Sequence, residues 1–417
     1  MTSVDQPGKN PVLPQGGGSD LLTNPARLRL IAWIWIGLAA IAWLIDLLQQ
    51  TRVGLSNGLG RPFGDDFVNY WSGAFLAFHG RVAEVYDFAA FHAFEQSVTA
   101  QSIQYYHYSY PPVLPLLTLP LAFIPYVPAL FVWLGATWYA FYRALKLTGH
   151  AGALLLSLAV PALFINAVGG QNGAMTAALL GGGLMLVDRR PVVAGILFGM
   201  MIYKPHLALM LPFALLAGRR WLVVFVTGAT AALLVVTSVA VYGIDAWLHY
   251  RYNIDLLRTV VLEDGTGVSH RMVSVFVFAR HFGASAAMSY SGQAVGALIA
   301  AVFIASSWWR DEPAHIRNGV LIIGTCLATP YLQDYDLVFG AFIVVWLHMA
   351  EKDSKVPLQW IRIAMAMVLL LPLVNTPLAK FIGPSIGPLF FLPVFALLIY
   401  LGAEYARKRA GELPVAS

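Results

Sequence analysis

The sequence predicts an all-α integral membrane protein with about twelve transmembrane helices and a large first outer loop. Of its 417 residues, 59% are apolar and only 11% are charged, and the mean hydropathy is +0.69, a balance far from that of soluble domains. Long apolar runs alternate along the chain with short clusters of Lys and Arg. This alternation is typical of a polytopic helical bundle.

Twelve apolar runs are candidate transmembrane helices. The longer ones reach the length needed to span a bilayer, and the shorter ones can span it where neighbouring helices cover them. The Gly- and Pro-rich residues 1–27 predict a disordered cytoplasmic tail, residues 28–405 a single membrane domain, and residues 406–417 a second cytoplasmic tail. The predicted spans are residues 29–49, 128–146, 150–168, 172–187, 191–204, 206–218, 220–242, 293–309, 315–331, 335–350, 358–376 and 386–404.

The Lys and Arg clusters between the runs decide the orientation. With twelve spans these clusters all fall on one side, which the positive-inside rule assigns to the cytoplasm. Both termini are then cytoplasmic, and a bacterial plasma (inner) membrane is the expected location. The same clusters explain the formal net charge of +5 without nucleic acid as a partner. They comprise Arg27, Arg29, Arg143, Lys146, Arg189, Arg190, Arg219, Arg220, Arg310, Arg317, Lys352, Lys355 and residues 407–409.

The polar residues concentrate in segments on the opposite, outer side. The first, residues 50–127, contains a polar aromatic stretch whose apolar spacing predicts a helix lying on the membrane surface. Its proline-rich end, residues 112–127, predicts a short re-entrant or interfacial piece. The second, residues 243–292, is expected to be mostly a solvated loop. Three shorter outer segments are residues 168–173, 203–206 and 329–336.

Two adjacent carboxylates, Asp65 and Asp66, stand at the start of the first outer segment's helix in "RPFGDDFVNYW". An aspartate there can cap the helix and interact favourably with its dipole. Alternatively, a carboxylate facing a site at the membrane surface can accept the proton of a substrate hydroxyl. The spacing alone does not decide which carboxylate has which role.

The "YKPH" turn contains two candidate cationic residues, Lys204 and His206. Because Pro205 disfavours helical geometry at Lys204, two short helices are predicted here instead of one long helix. Lys204 can extend to the bilayer interface, as lysines at helix ends do, or hold a phosphate oxygen as a point charge. Both interpretations remain open at this stage.

Further polar candidates lie in the other outer segments. Gln171 and Asn172 in "GGQNG" offer amide groups suited to sugar hydroxyls. His270 and Arg271 precede an apolar stretch and can reach an anionic headgroup. In "TPYLQDYD", Asp334 and Asp336 stand at the start of the next helix, where one can act as a helix cap and the other as a hydrogen-bonding partner.

Cofactor chemistry is not indicated by the sequence. The single cysteine, Cys326, excludes a disulfide framework and a cysteine metal site. No zinc-ligand spacing, P-loop or dinucleotide fingerprint occurs in the chain. We therefore predict no cofactor and no metal site, although the carboxylates of Asp65, Asp66 and Asp334 leave a divalent ion open.

An ordered set of motifs between about residues 29 and 350 resembles glycosyltransferase family 87, the polyprenol-phosphate-mannose-dependent mannosyltransferases. The motifs are "DFVNYW", "GRVAEVYD", "YPP" leading into "PLAFIP", "GQNG", "KPH" and "TPYLQDYD". The resemblance implies the C-type glycosyltransferase fold, with an active site facing away from the cytoplasm and a catalytic aspartate in the first outer loop. That aspartate falls on Asp66 rather than Asp65. The other family positions fall on Tyr70, Gly170, Gln171, Lys204, Pro205, Pro330, Tyr331 and Asp334.

The resemblance further implies inverting transfer of a hexose, mannose above all, from a polyprenyl-phosphate donor to a lipid or glycan acceptor. The leaving phosphate is already ionised, so the reaction requires a base but no general acid. Asp66 is the expected base. Lys204 and His206, assisted by His270 or Arg271, are expected to stabilise the phosphate.

Two other classes of membrane protein fit the hydropathy. A transporter or flippase of lipid-linked sugars would also have about twelve spans, but transporters commonly contain internal repeats. The large first outer loop has no counterpart in the second half of this chain. Another membrane transferase, such as an antigen ligase or an acyltransferase, would more commonly depend on Arg and His in a late outer loop or on a buried His.

Overall fold

The computed structural model describes residues 24–411, and these residues form a helical bundle. Short 3-10 segments and one π-helical turn connect the α-helices. The α-helices are α1 Pro25–Gln49, α2 Phe67–Phe78, α3 Val82–Val85, α4 Phe88–Val98, α5 Val113–Thr118, α6 Tyr126–Lys146, α7 Ala153–Ala159, α8 Pro161–Val168, α9 Gly173–Leu186, α10 Pro191–Met200, α11 Leu211–Ala217, α12 Trp221–Tyr242, α13 Ile244–Leu257, α14 Val275–His281, α15 Ala286–Trp309, α16 Ala314–Ala328, α17 Gly340–Ala350, α18 Leu358–Ile382 and α19 Gly387–Arg409.

The long apolar helices identify an integral membrane protein. Among the described residues, five helices are long and apolar enough to cross a bilayer, namely α1, α12, α15, α18 and α19. Five further apolar helical segments are shorter, between 10 and 17 residues. The total of twelve spans therefore stays a prediction.

Two prolines, Pro161 and Pro205, stand at breaks between helices. The predicted span 150–168 consists of α7 and α8, which meet at Val160, whose extended backbone (ψ 121°) precedes Pro161. The break predicted at Lys204 is confirmed, because Lys204 leaves helical geometry (φ −139°, ψ 63°) directly before Pro205. In both places the residue before proline avoids the helical region for steric reasons.

The two predicted tails are only partly described. Helix α1 begins at Pro25, so the last three residues of the expected tail 1–27 are helical. At the other end α19 continues to Arg409, into the expected tail 406–417. The remainder of both predictions, residues 1–23 and 412–417, lies outside the described residues.

Helix α2 lies inside the protein, and the prediction that it lies on the membrane surface is wrong. All of its residues except Phe75 and Phe78 are buried. Aromatic side chains surround it: the Trp71 ring stacks 6.5 Å from Phe94 of α4, and its indole nitrogen donates to the Ile124 carbonyl oxygen at 2.9 Å. The proline-rich stretch that follows forms short pieces as predicted, α5 and a 3-10 turn at Leu119–Phe123.

The outer segment 243–292 is largely helical, so the prediction that its polar residues lie mostly in a loop is wrong, although Arg251, Tyr252 and Asp264 are exposed as predicted. It contains α13, a π-helical turn at Arg258–Glu263 and α14. Tyr250 packs edge-on against Tyr86, with ring centroids 6.0 Å apart. Tyr252 on the same helix is 74% exposed. The segment therefore forms a second helical layer whose inner face packs on the first outer segment.

An ion-pair ring closes the end of the bundle opposite to the polar turns. Arg220 pairs with Asp188 at 2.8 Å and with Asp311 at 3.1 Å, and Arg317 pairs with the same two carboxylates. Helix α9 has 14 residues, so it separates this ring from the "GGQNG" turn by about 21 Å. Arg220 and Arg317 thus lie at the other end of α9 from the "GGQNG" turn. The sidedness of the bundle stays a prediction.

Glu95 of α4 is a carboxylic acid in an apolar environment. It is fully buried, and within the described residues neither of its carboxyl oxygens has a hydrogen-bond partner. Burial, followed by the nearby charge of Asp66, raises the pKa of Glu95 well above its usual value. The side chain is therefore held in the neutral, protonated form.

We expect Glu95→Gln to stabilise the protein increasingly as the pH rises. The folded-state pKa of Glu95 lies above the unfolded-state value, so wild-type stability is greatest at low pH and falls once the unfolded chain releases this proton. The amide of the variant cannot ionise and escapes this loss. Melting temperatures in one detergent should favour the variant by about 2 °C or more near neutral pH, and by less in acid.

The exposed Glu84→Gln provides the matched control. Glu84 pairs with Arg81 at 2.7 Å, and hydrogen bonding to that guanidinium lowers the pKa of Glu84. Its replacement should therefore slightly destabilise the protein near neutral pH. A melting-temperature difference for Glu95→Gln that does not change with pH would show that Glu95 is not buried as a neutral acid.

Candidate functional site

The two adjacent carboxylates of the first outer segment have different surroundings. Asp65 adopts a left-handed backbone (φ +52°), a conformation that aspartate tolerates. Its carboxylate accepts from Arg61 Nε at 2.9 Å and from the Tyr106 hydroxyl at 2.6 Å. Arg61 also pairs with Asp46 of α1 at 2.6 Å. Asp65 thereby joins the segment to α1. Neither carboxylate makes the predicted capping hydrogen bond to α2.

Asp66 is the more available of the two carboxylates. It directly precedes α2 without making a capping hydrogen bond, and 27% of its side chain is exposed. Its Oδ2 atom accepts from Gln171 Nε2 and lies 3.8 Å from Arg271 Nη1. Within residues 24–411 the hydrogen bond and the ion pair of the Asp66 side chain both use Oδ2, and none uses its other oxygen, Oδ1. One oxygen is thus oriented by the protein and the other is available to a substrate.

The surroundings of Asp66 raise its pKa from the usual range to about 7. Burial is the largest cause, and the negative charges of Asp65 and Asp334 act in the same direction. The guanidinium groups of Arg271 and Arg61 oppose the increase. A carboxyl group with a pKa near the working pH is well suited to accept and release a proton.

The "GGQNG" turn is wedged between two other polar segments, and its glycines permit the close approach. Gly170 has φ +59°, and a Cβ atom there would lie 2.2 Å from the Gly64 carbonyl oxygen. A Cβ atom at Gly173 would lie 2.0 Å from the Tyr335 carbonyl oxygen. No larger residue fits at either position without moving the backbone. This packing directs Gln171 toward Asp66 and the next residue, Asn172, toward the interior.

Arg271 is held beside Asp66 by the end of the second outer segment. Val273 N donates to the Leu332 carbonyl oxygen at 2.9 Å, which brings residues 269–271 against "YLQDYD". Arg271 Nε then lies 3.3 Å from Asp334 Oδ1, and the second oxygen of Asp334 accepts from Thr376 at 2.8 Å. Burial lowers the pKa of Arg271, but the carboxylates of Asp334 and Asp66 outweigh this and keep the guanidinium charged.

Lys204 is buried and already paired. Only 3% of the residue is exposed, and its ammonium group lies 2.5 Å from Asp336 Oδ1. It also donates to Asn172 Oδ1 at 3.1 Å and to the Tyr335 hydroxyl at 3.4 Å. All three of its protons therefore have acceptors. Direct binding of phosphate by Lys204 stays a prediction, and it would require at least one of these bonds to break.

Three predicted residues lie apart from Asp66. His206 and Tyr331 face each other with ring centroids 6.2 Å apart, and His206 Nε2 is buried with no partner among the described residues. His270 directly precedes Arg271, and its carbonyl oxygen accepts from Asn375 Nδ2 at 3.3 Å. Burial lowers the pKa of His270, which keeps its imidazole neutral. Their predicted roles toward the substrate stay predictions.

The structure brings seven of the predicted residues into one polar network. They are Asp66, Tyr70, Gln171, Asn172, Lys204, Arg271 and Asp334. Sequence reasoning assigned no site role to Tyr110, Tyr335 or Thr376, and it left Asp336 open as a helix cap or a hydrogen-bonding partner. These four residues complete the network. Tyr110 and Asp336 stand inside motifs already recognised, "YPP" and "DYD", whereas Thr376 is part of an apolar run and gives no local signal.

In the described part of the chain, no three His, Cys, Asp or Glu side chains are grouped so that they could hold a metal ion. The positively charged group that lies next to both the Asp66 and the Asp334 carboxylates is the Arg271 guanidinium.

A helical membrane bundle with an available carboxylate beside a guanidinium fits a membrane-embedded transferase. The model of glycosyltransferase family 87 matches residues 108–330, more than half of the 417 residues. The chain belongs to glycosyltransferase family 87, so the resemblance in the sequence is confirmed. No curated protein and no solved structure showed significant similarity to the chain.

The family match covers only part of the site. It includes the "GGQNG" turn, Lys204 and Arg271, but it begins after Asp66 and ends before Asp334. The roles of these two carboxylates therefore depend on the geometry. Membership of the family favours a glycosyltransferase over the transporter or flippase alternative.

Proposed function

We propose that this glycosyltransferase transfers a hexose, mannose in the first instance, from a polyprenyl-phosphate donor to a glycolipid or glycan acceptor. The reaction takes place with inversion, on the extracytoplasmic face of a bacterial inner membrane, with both termini in the cytoplasm. Family membership supports the glycosyl transfer. The opposite placement of the basic ion-pair ring and the polar turns supports the orientation.

The observation that carries the proposal is the pair of Asp66 and Arg271. An available carboxylate whose pKa is about 7 lies 3.8 Å from a charged guanidinium at one end of the bundle. Transfer from a sugar phosphate needs both a base for the acceptor and a cation for the leaving group. In the proposed complex the acceptor hydroxyl lies at Asp66 and the leaving phosphate at Arg271, with the sugar beside this pair.

In the proposed mechanism the acceptor hydroxyl oxygen attacks C1 of the sugar from the face opposite to the phosphate. Its proton passes to Asp66 Oδ1, the oxygen that makes neither the hydrogen bond to Gln171 nor the ion pair with Arg271. The bond between C1 and the phosphate oxygen breaks, and its electron pair remains on the phosphate. The configuration at C1 is inverted, and no general acid is needed because the leaving phosphate is already an anion.

The leaving phosphate is stabilised by positive charge and hydrogen-bond donors. Arg271 is better placed for this role than Lys204, since Arg271 is 3.8 Å from Asp66 while Lys204 is committed to Asp336 and Asn172. A guanidinium can also donate two parallel hydrogen bonds to a phosphate. Asp334 holds Arg271 from the other side at 3.3 Å.

The proposal is tested by assaying purified protein in proteoliposomes with radiolabelled sugar donors. Polyprenyl-phosphate mannose, polyprenyl-phosphate glucose and GDP-mannose are compared, with lipid extract from the source cells as acceptor. Label should appear in an acceptor product from a polyprenyl-phosphate sugar only, and glycosidase digestion should show the inverted anomer. Transfer from GDP-mannose at an equal rate would overturn the donor class.

The same proteoliposomes distinguish the transporter alternative. A flippase would move the labelled donor between leaflets without forming a glycosylated product. Asp66→Asn would then alter translocation instead of bond formation. Donor movement without any product would overturn the proposed function.

A further inference from the structure

A continuous chain of hydrogen bonds connects Lys204 to Asp66 through the interior of the site. Lys204 donates to Asn172 Oδ1 at 3.1 Å, and Asn172 Nδ2 lies 2.9 Å from the Tyr110 hydroxyl. The Tyr110 hydroxyl lies 3.0 Å from that of Tyr70. Two links remain, from Tyr70 to Gln171 Oε1 at 2.8 Å and from Gln171 Nε2 to Asp66.

The two ends of this chain determine the direction of every bond in it. An ammonium group only donates, so Asn172 must present its oxygen to Lys204 and its amino group to Tyr110. An ionised carboxylate only accepts, so Gln171 must present its amino group to Asp66 and its oxygen to Tyr70.

The two tyrosines between the amides are then left with one arrangement. Tyr70 has one proton and gives it to Gln171, so Tyr110 must give its own proton to Tyr70. Tyr110 in turn accepts from Asn172. All five hydrogen bonds therefore donate toward Asp66, and bonds aligned in this way polarise one another.

We propose that Tyr110, Asn172 and the Lys204–Asp336 pair are positioning residues that orient the Asp66 carboxylate and favour its ionised form. This inference depends on the proposed function, because it takes Asp66 to be the base. Lys204 supplies the positive end of the chain, and Asp336 holds Lys204 in place at 2.5 Å. The chain occupies Oδ2 of Asp66 and leaves Oδ1 for the acceptor hydroxyl.

Burial supports this assignment over a direct role in substrate binding. Asn172 is fully buried, Lys204 is 3% exposed and Asp336 is fully buried. Such residues act on the reaction through their neighbours. The other charged or titratable groups close to Asp66 are Asp65, Arg61, Arg271, Asp334, Glu95, Tyr106 and Tyr335, and the variants below leave them unchanged.

The central experiment is Tyr110→Phe, which removes one hydroxyl from the middle of the chain. Asp66 then loses polarised donors, its anion is less stable, and its pKa rises. The acid limb of the kcat/KM profile should therefore move upward by about 0.5 to 1 pH unit. We expect kcat to fall about tenfold with an unchanged KM for polyprenyl-phosphate mannose.

Tyr108→Phe is the matched control. Tyr108 is two positions away and buried, while Tyr110 is partly buried, and the Tyr108 hydroxyl has no hydrogen-bond partner among the described residues. Its loss should leave both kcat and the pH profile unchanged. If Tyr110→Phe shows the same pH profile as Tyr108→Phe, the positioning chain is refuted.

A second variant tests the Lys204 end without leaving a buried charge unpaired. Lys204→Met combined with Asp336→Asn removes both charges at similar volume. The pH profile should shift as in Tyr110→Phe, and adding Tyr110→Phe should shift it no further, because one chain is broken in both cases. A large increase in donor KM instead would identify Lys204 as a phosphate ligand and overturn the inference.

Asp66→Asn distinguishes failure of this inference from failure of the proposed function. If Asp66→Asn retains wild-type turnover, Asp66 is not the base and the proposed function fails. If Asp66→Asn is inactive while Tyr110→Phe behaves like Tyr108→Phe, only the positioning chain fails. Monodisperse elution and a cooperative melting transition establish that each variant is folded.

Discussion

Replacing Asp66 with Asn is expected to reduce sugar transfer about 10²- to 10⁴-fold, the usual contribution of a general base. The amide retains the shape of the carboxylate and can still accept a hydrogen bond from Gln171, but it cannot take the acceptor's proton. Initial rates in proteoliposomes at saturating donor measure the effect. Thermal melting should show a folded protein, because Asp66 makes no capping bond to α2.

Asp65→Asn is the matched control for this variant. Asn also tolerates the left-handed backbone at this position, φ +52°. The change weakens the bond to Arg61, so it should lower stability more than turnover. Near-normal turnover of Asp66→Asn would refute the assignment of the base, and a reversal of the two effects would show that Asp65 is the base.

The same assignment predicts the pH dependence of the wild-type enzyme. Asp66 must be ionised to accept a proton, and its pKa is about 7. The value of kcat/KM should therefore rise with pH through about 7 and then level off. A profile that stays flat from about pH 5.5 to about pH 8.5 would contradict a base with this pKa.

The second large effect is expected from Arg271→Met, which should lower kcat/KM about 10²- to 10³-fold. The leaving phosphate loses its nearest cation, and Asp66 loses a positive charge that lowers its pKa. The acid limb of the pH profile should accordingly move to higher pH. Arg271→Lys should recover part of the rate, because it restores the charge but not the two-pronged donor geometry.

Two further variants separate chemistry from folding at this position. Arg271→Met leaves the Asp334 carboxylate, whose side chain is 3% exposed, without its ion-pair partner. The double variant of Arg271→Met with Asp334→Asn removes both charges and is therefore compared with the single variant. Arg251→Met, on the exposed face of α13, should leave transfer unchanged. If Arg271→Met keeps the wild-type rate while Lys204→Met loses affinity for the donor, the phosphate binds at Lys204 and not at Arg271.

Much of the fold could be predicted because helices and their breaks depend on local composition. The apolar runs predicted the long helices, and the prolines at 161 and 205 stand at real breaks.

The outer segments were predicted less well. The aromatic residues of α2 suggested a surface helix, yet they pack on α4 and on residues 119–123, partners that no local pattern reveals. The span 150–168 appeared continuous although Pro161 divides it.

The candidate site was predicted as a set of residues but not as an arrangement. Asp66, Gln171 and Lys204 are all part of the observed network. Their partners were not foreseen. Gln171 and Asp66 are 105 positions apart in the chain, and Lys204 and Asp336 are 132 positions apart. Spacing within a segment carries no information about such pairs.

Composition and motif order were thus sufficient to establish a helical membrane protein and the family to which it belongs. The folded arrangement was needed to show which of two adjacent aspartates is available and which cation faces it. Arg61 and Tyr106 occupy Asp65, and Asp336 occupies Lys204, so Asp66 and Arg271 remain as the facing pair. This is because the chemistry of a charged side chain depends on the partners that packing brings to it. Gly170 and Gly173 contribute to this packing, because they let the "GGQNG" turn approach the backbones of Gly64 and Tyr335.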